Sequence, residues 1–394
     1  MNEPRFEITW EAGPAAQLEI VSPNYEPKGD AYRLRYTPPF RATIRPGMVE
    51  LQLYPKVLDP LRLKLDTIVS TLDARRSSTG GPNTASDGLM DAALEVGGTL
   101  FDLVVPPGIR ADLRTNNLFL EVGIDEALVE FPWELLHDGE EFLCLRHRTG
   151  RFVNTSRPPI PPQQPEQPLD RRPTELNVLL ICVPQPLTRD GTTYRPLPGV
   201  DAETRAIQKA FGAVAEHVRL TIVPNATYTQ VRNALKEKRW HIVHFSGHAE
   251  FDEKDSRNSG LVLHDRRLTP AEIQSYCGSK PPVFFCLNAC ETAKTAADAR
   301  WKDRYDIFGI ARGCLETGAY LVGNRWPVGD DGAAAFASAF YTTLCRGGTL
   351  GEAVVNGRTA CRESSEDDDL SWASYVFYGD PRLCFRCPPN NVKE

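Results

Sequence analysis

The 394-residue sequence predicts an α/β protein: a three-layer α/β/α sandwich with a mostly parallel sheet, preceded by a smaller α+β region. Three observations predict it. Residues 174–390 alternate short apolar runs with helix-spaced segments, the order of parallel strands joined by crossover helices. The first of these runs, Leu176 to Val183, is apolar at almost every position, as a strand buried on both faces requires. A proline-rich segment then sets this half apart from a first half that lacks the alternation. Pro158, Pro159, Pro161, Pro162, Pro165, Pro168 and Pro173 fix φ and remove backbone donors, so the stretch reads as an extended spacer. It divides the chain into 1–156, 157–173 and 174–390.

In the first half, Gln17–Val21 and Glu50–Tyr54 read as strands. A Gly/Ser/Thr-rich break from Ser77 to Gly88 precedes a helix over Leu89–Leu103 and an alternating strand over Asn117–Val122. Phe131-Pro132-Trp133-Glu134-Leu135-Leu136 has no catalytic logic of its own and reads as an aromatic anchor against the second half. In that half, strand Leu176–Val183 leads to helix Val200–Phe211, strand Val218–Val223 and helix Tyr228–Lys238. Strand 240–246 follows, then Gly260–Leu263 as an edge or hairpin strand. Thr269 opens a short helix with Pro270 at its first position. Strand 283–289, helix Ile307–Thr317, strand Tyr320–Gly323, helices 332–345 and 349–362, and strand Tyr375–Tyr378 complete the order.

The sequence is 41% hydrophobic and 25% charged, which is ordinary for a globular protein. A net charge of −7 gives no sign of general nucleic-acid affinity, and no apolar run approaches a membrane span. The first residues, Met1-Asn2-Glu3-Pro4-Arg5, lack a signal peptide's basic-then-apolar order, so a cytoplasmic location is the expectation. Ten cysteines are scattered, mostly singly in apolar or helical contexts, which suggests reduced thiols rather than a disulfide framework. Cys384 and Cys387 form a lone CxxC without a second pair and read as two thiols on a terminal strand. No cofactor and no metal are expected.

Two segments carry candidate chemistry. His244-Phe245-Ser246-Gly247-His248 ends one apolar run, and Asn288-Ala289-Cys290-Glu291 ends another. As parallel strands, the two runs would bring their carboxyl ends to one sheet edge, where open α/β sheets collect reacting groups. An imidazole there can take a thiol proton and later protonate a leaving amine, while the thiolate attacks a carbonyl. His248 would be the base and Cys290 the nucleophile. Simple packing is the alternative: among seven histidines and ten cysteines, one of each is weak evidence, and residue chemistry leaves both readings open. His244 shares a strand face with Ser246 and His248 but lies inside the run and reads as structural, with Gly247 expected to break the register. His241, on the other face, reads as packed. A zinc site from His244, His248 and Cys290 lacks a further ligand.

The run His244–Ala249 together with Leu287-Asn288-Ala289-Cys290-Glu291-Thr292 resembles the CHAT family of caspase-like proteases. Trp326-Pro327-Val328-Gly329-Asp330, the block Trp372–Pro381 and Pro132–Leu136 are similar to further blocks of that family, in the same order. The resemblance implies a caspase-like fold and peptide-bond cleavage by a Cys/His dyad, as in separase, with Cys290 as nucleophile and His248 as base. Their separation of 42 residues is close to the caspase spacing of about 50. The resemblance also implies an oxyanion hole from the backbone N–H groups of Ala249 and Cys290; caspases have glycine where this chain has Ala249. A role in bacterial defence or programmed cell death follows from the same resemblance. The substrate would be a protein, either gasdermin-like or toxin-regulating, with an upstream activating protein as a second partner. A catalytically idle scaffold in a sensor complex and a cysteine acyltransferase or amidase are the competing classes. Asp330, with Asp331 beside it, is expected to receive a basic P1 side chain, or else to cap the following helix. Glu291 to Asp306 is expected to be a mobile activation loop that the enzyme could cut after Arg300 or Arg304, with an ordinary surface loop, or a short helix around Ala296 to Trp301, as the alternative.

Overall fold

The computed structural model describes residues 7–21, 32–39, 48–51, 53, 55–77, 88–115, 117–125, 128–154, 173–185, 188–189, 192–194, 196–250, 259–290, 307–365 and 369–386. In chain order the strands are β1 Glu7–Trp10, β2 Ala15–Val21, β3 Tyr32–Thr37, β4 Met48–Leu51, β5 Phe119–Asp125 and β6 Arg148–Asn154. Then come β7 Leu176–Cys182, β8 Thr188–Arg189, β9 Thr192–Thr193, β10 Val218–Pro224, β11 Ile242–Glu250, β12 Gly260–Val262 and β13 Arg267–Leu268. The last four are β14 Phe284–Cys290, β15 Tyr320–Asn324, β16 Tyr375–Tyr378 and β17 Leu383–Arg386.

Among the described residues one sheet runs through both halves in the order β10-β7-β11-β14-β15-β16-β6-β5-β2-β3-β4, with β12 attached to β11 and β13 to β12. From β10 to β15 every neighbour is parallel. β16 lies antiparallel to β15 and parallel to β6. β6, β5 and β2 are parallel, and β3 and β4 close the far edge antiparallel. The core strands are apolar because both faces are covered: Phe284, Phe285, Tyr320, Leu321 and Val322 are all buried. Helices Gly199–Gly212, Asp330–Cys345 and Leu350–Ser364 pack together as one layer. Tyr228–Glu237, Pro270–Cys277 and Ile307–Leu315 form a second group, giving the three-layer arrangement. Capping boxes start three helices: Thr227 with Gln230, Thr269 with Glu272, and Thr349 with Glu352.

Several boundaries differ from the sequence expectation. The strand expected over 240–246 runs Ile242–Glu250, so Gly247 does not break the register and His248 lies inside the strand. Glycine is needed there for closeness rather than for a break. A Cβ at position 247 would lie 2.8 Å from Phe245 Cζ and 3.3 Å from Val183 Cβ. Helix Pro55–Ser77 and strands β3 and β6 were not foreseen. The spacer 157–173 lies outside the described residues, except Pro173, and falls at the crossing from β6 to β7. The break expected from Ser77 to Gly88 lies mostly outside them as well. No single helix among the described residues is long and apolar enough to cross a membrane.

Two strand pairings join the halves among the described residues: β16 with β6 at Tyr378 and Arg151, and β1 with β17 from Glu7 opposite Arg386 to Trp10 opposite Leu383. Charge holds the first. Glu134, in the short turn Trp133–Leu135, pairs with Arg151 of β6 and lies 3.7 Å from Arg358 of helix Leu350–Ser364. Arg358 also donates to the carbonyls of Tyr375 and Cys144, at 3.1 Å each. Arg325 donates to the carbonyl of Val129 at 2.8 Å. Phe131 and Trp133 of the aromatic anchor are both buried, and the turn Trp133–Leu135 lies against Ser371–Ser374 of the second half.

Candidate active site

β11 and β14 lie side by side and parallel, in register from Ile242 opposite Phe284 to His248 opposite Cys290. The pleat alternates faces, so His244 with Cys286, Ser246 with Asn288, and His248 with Cys290 occupy one face in three successive pairs. The two sequence-predicted residues are therefore register partners at the carboxyl ends of neighbouring strands. β12 pairs the last residues of β11, Ala249 with Leu261 and Glu250 with Gly260, and fixes the rim of the site.

Below the pair lies a buried polar cluster. Helix Gly199–Gly212 places Glu203 over β11, where Ser246 Oγ donates to Glu203 Oε2. His244 Nε2 lies 3.2 Å from Glu203 Oε1, an ion-pair distance without the alignment of a hydrogen bond. Its Nδ1 lies 2.8 Å from the Tyr341 hydroxyl. Burial pushes the His244 imidazole down, but Cys286 and Glu203 outweigh it and carry its pKa to about 10. Burial also drives the Tyr341 hydroxyl well above its ordinary value. Cys286 is buried mid-strand. His244 is turned to Glu203 and Tyr341. His241 is packed too, its Nδ1 accepting from the Asn177 N–H at 2.8 Å.

Above the pair, His248 is 2% exposed. The Tyr194 ring lies 5.2 Å from the imidazole, centre to centre, tilted by 40°. Its hydroxyl donates to Glu250 Oε2 at 3.0 Å, and Arg267 Nε lies 3.3 Å from the same oxygen.

Asp330 and Asp331 are exposed in the first turn of helix Asp330–Cys345, whose cap position is Gly329. A Cβ at Gly199 would lie 2.5 Å from Asp330 Oδ1, so this carboxylate stands against the start of helix Gly199–Gly212. Both follow the carboxyl end of β15, the sheet edge that carries His248. The Trp326 block is otherwise packing: Trp326 Nε1 donates to the Leu370 carbonyl at 2.9 Å, and Ser374 Oγ accepts from the N–H groups of Arg325 and Trp326 at 3.1 and 3.0 Å. The segment Glu291–Asp306 and Cys387 lie outside the described residues. Cys384 is buried. Among the described residues no group of three or more His, Cys, Asp or Glu is placed to hold a metal ion.

Sequence reasoning missed Glu203, Tyr341 and Tyr194. Glu203 had a signal: it interrupts the apolar stripe Val200, Ile207, Ala210 of its helix, where a buried acid needs partners. Tyr341 sits among apolar neighbours and Tyr194 in an irregular stretch, so neither is marked by periodicity.

Such a sheet, with cysteine and histidine at adjacent parallel strand ends, has the fold of the caspase-like cysteine peptidases. The chain belongs to the CHAT domain family, whose profile matches residues 94–380. No curated protein matches it. Two solved structures of the Saccharomyces cerevisiae separase–securin complex are similar in fold, at 13% identity and TM-score 0.53, and at 12% identity and TM-score 0.51. Each match covers 93% of this chain and 30% of the separase chain, so this chain spans under a third of that relative's length. The Arg-specific cysteine proteinase gingipain R matches at 13% identity and TM-score 0.43, over 83% of this chain and 77% of its own.

Proposed function

We propose that this protein is a cysteine endopeptidase that cuts a specific protein substrate, with Cys290 as nucleophile and His248 as general base. The register of His248 with Cys290 at the carboxyl ends of β11 and β14 carries the reading. Membership of the CHAT domain family supports it. In this mechanism His248 takes the Cys290 thiol proton and the thiolate adds to the scissile carbonyl. The C–N bond then breaks as His248 returns the proton to the leaving amine, and water hydrolyses the thioester. The backbone N–H groups of Ala249 and Cys290 receive the oxyanion, a contribution of about 3–4 kcal/mol where such donors have been removed. Pairing of Ala249 with Leu261 holds one of these groups in place.

The P1 residue is basic, received by Asp330 with Asp331 nearby. Their exposure at the same sheet edge supports this, because a carboxylate open to solvent is free to accept charge-assisted hydrogen bonds from Arg or Lys. The substrate is gasdermin-like or toxin-regulating, in a defence or cell-death pathway, and an upstream protein activates the enzyme. The solved separase stands in complex with securin, which favours a protein partner here too.

A peptide library incubated with the purified protein tests the reading. Cleavage should vanish in Cys290→Ala and in His248→Ala, and the double variant should lose no more than either single one, because the two act as a unit. Cleavage that survives Cys290→Ala overturns it. Asp330→Ala should abolish cleavage after Arg and leave the melting temperature near that of the parent. A library preference for Asp at P1 would refute the basic-P1 part alone.

A further inference from the structure

We propose that Tyr194 is a positioning residue for His248: an aromatic plate that sets the plane of the imidazole and stabilises its charged form, held in place by Glu250 and Arg267. The proposal rests on the dyad reading. It deepens that reading by naming a residue that acts on the histidine of the pair.

The geometry points to Tyr194 in three ways. Its ring centre is 5.2 Å from that of His248, within the range at which an aromatic face attracts a cation. It is 4% exposed, so it also keeps water from one side of the imidazole. Finally, its position is specified from outside the dyad. The Tyr194 hydroxyl donates to Glu250 Oε2 at 3.0 Å, and Arg267 Nε holds that oxygen at 3.3 Å. Glu250 follows His248 by two residues on the same strand face, and Arg267 lies on β13, which pairs through β12 with the end of β11. The carboxylate and guanidinium are about a third exposed, at 27% and 30%, whereas the ring they hold is not. A surface pair thus fixes a buried ring.

The step affected is transfer of the Cys290 thiol proton to His248, which forms a thiolate and an imidazolium. Tyr194 acts on the imidazolium side. The titratable groups on the surrounding elements include His244 and Glu250 on β11, Cys286 on β14, Cys182 on β7, Asp201, Glu203, Arg205 and Lys209 on helix Gly199–Gly212, Arg267 on β13, and Asp330, Asp331, Tyr341 and Cys345 on helix Asp330–Cys345. Of these, Glu203, Cys286 and Tyr341 are engaged with His244, and Cys182 with Thr204. Glu250 is the acid tied to the plate.

The test needs no substrate. The rate of Cys290 alkylation by iodoacetamide, mapped by peptide mass spectrometry across pH, reads the thiolate directly. His248→Ala should move the midpoint up towards the ordinary thiol value of about 8.5. Tyr194→Leu, similar in bulk but without a π face, should move it up by roughly half to one pH unit. Tyr194→Phe keeps the ring and loses only the hydroxyl tether to Glu250, so it should move the midpoint up by less than Tyr194→Leu. Glu250→Gln, a change at a partly exposed site that leaves the core untouched, should move the midpoint in the same direction as Tyr194→Leu and by less. A shift in His248→Ala with none in Tyr194→Leu or Glu250→Gln overturns the proposal and leaves the dyad standing. No shift in His248→Ala overturns the dyad itself. Should Tyr194→Leu lose its thermal transition, the Glu250→Gln result decides alone.

Discussion

Glu134 and Glu203 are equally buried, each 2% exposed, yet they serve the molecule in different ways. Glu134 stands at the seam between the two halves of the sheet and faces the guanidiniums of Arg151 and Arg358. Guanidinium does not lose its proton in a folded protein, so this contact is a fixed clamp. Glu203 stands beneath the dyad strand and faces a serine hydroxyl and the His244 imidazole. That contact can gain or lose a proton. The difference lies in the partners: between pH 6 and pH 10 the guanidiniums at the seam keep their charge, whereas the imidazole beneath the site passes through its raised pKa of about 10.

The contrast is broken or sharpened most strongly at the seam. Glu134→Gln leaves two buried guanidiniums without a carboxylate, and the unfolding free energy should fall by about 3–5 kcal/mol. Urea denaturation reads this, and a loss close to zero would mean that the clamp is not one. Glu203→Gln keeps an oxygen for Ser246 and removes only the charge facing His244, so a smaller loss of about 1–3 kcal/mol is expected in the same assay. The pH dependence should separate the two clusters. His244 has a folded pKa of about 10, above its unfolded value near 6.5, so its stabilisation is complete below the lower value and lost as pH rises through the upper one. Thermal melts from pH 6 to pH 10 should therefore decline in the parent and decline less in His244→Gln. A parent and variant with the same slope would remove His244 as the titrating group. The smallest effect belongs to an exposed carboxylate: Asp331→Ala, in a first helical turn, should change stability by about 0.3–1 kcal/mol through the helix dipole.

The sequence revealed most where burial is one-sided or complete. β7, β14 and β15 were legible because strands covered on both faces are largely apolar, and the carboxyl ends of β11 and β14 drew attention to His248 and Cys290. Gly247 misled because glycine in a strand can mean a break or a close approach, and only the position of Phe245 decides between them. β6 escaped notice because Arg148-Thr149-Gly150-Arg151 reads as a polar loop; it is a strand because Arg151 is buried against Glu134, a residue 17 positions away. Helix Pro55–Ser77 escaped because Pro60 lies inside it. The polar contacts around the site were the least legible part. Glu203, Tyr194 and Tyr341 come to β11 from three separate segments, and no local pattern encodes that meeting.

The pairing of β16 with β6 has a consequence for how the molecule can be taken apart. Without residues 1–156, β16 would present an open row of backbone donors and acceptors at the edge of a long sheet, beside an Arg358 stripped of its carboxylate. An edge of that kind recruits strands from other chains. The first half covers the edges of β16 and β17 through β6 and β1, and the second half made on its own should aggregate where the full chain does not.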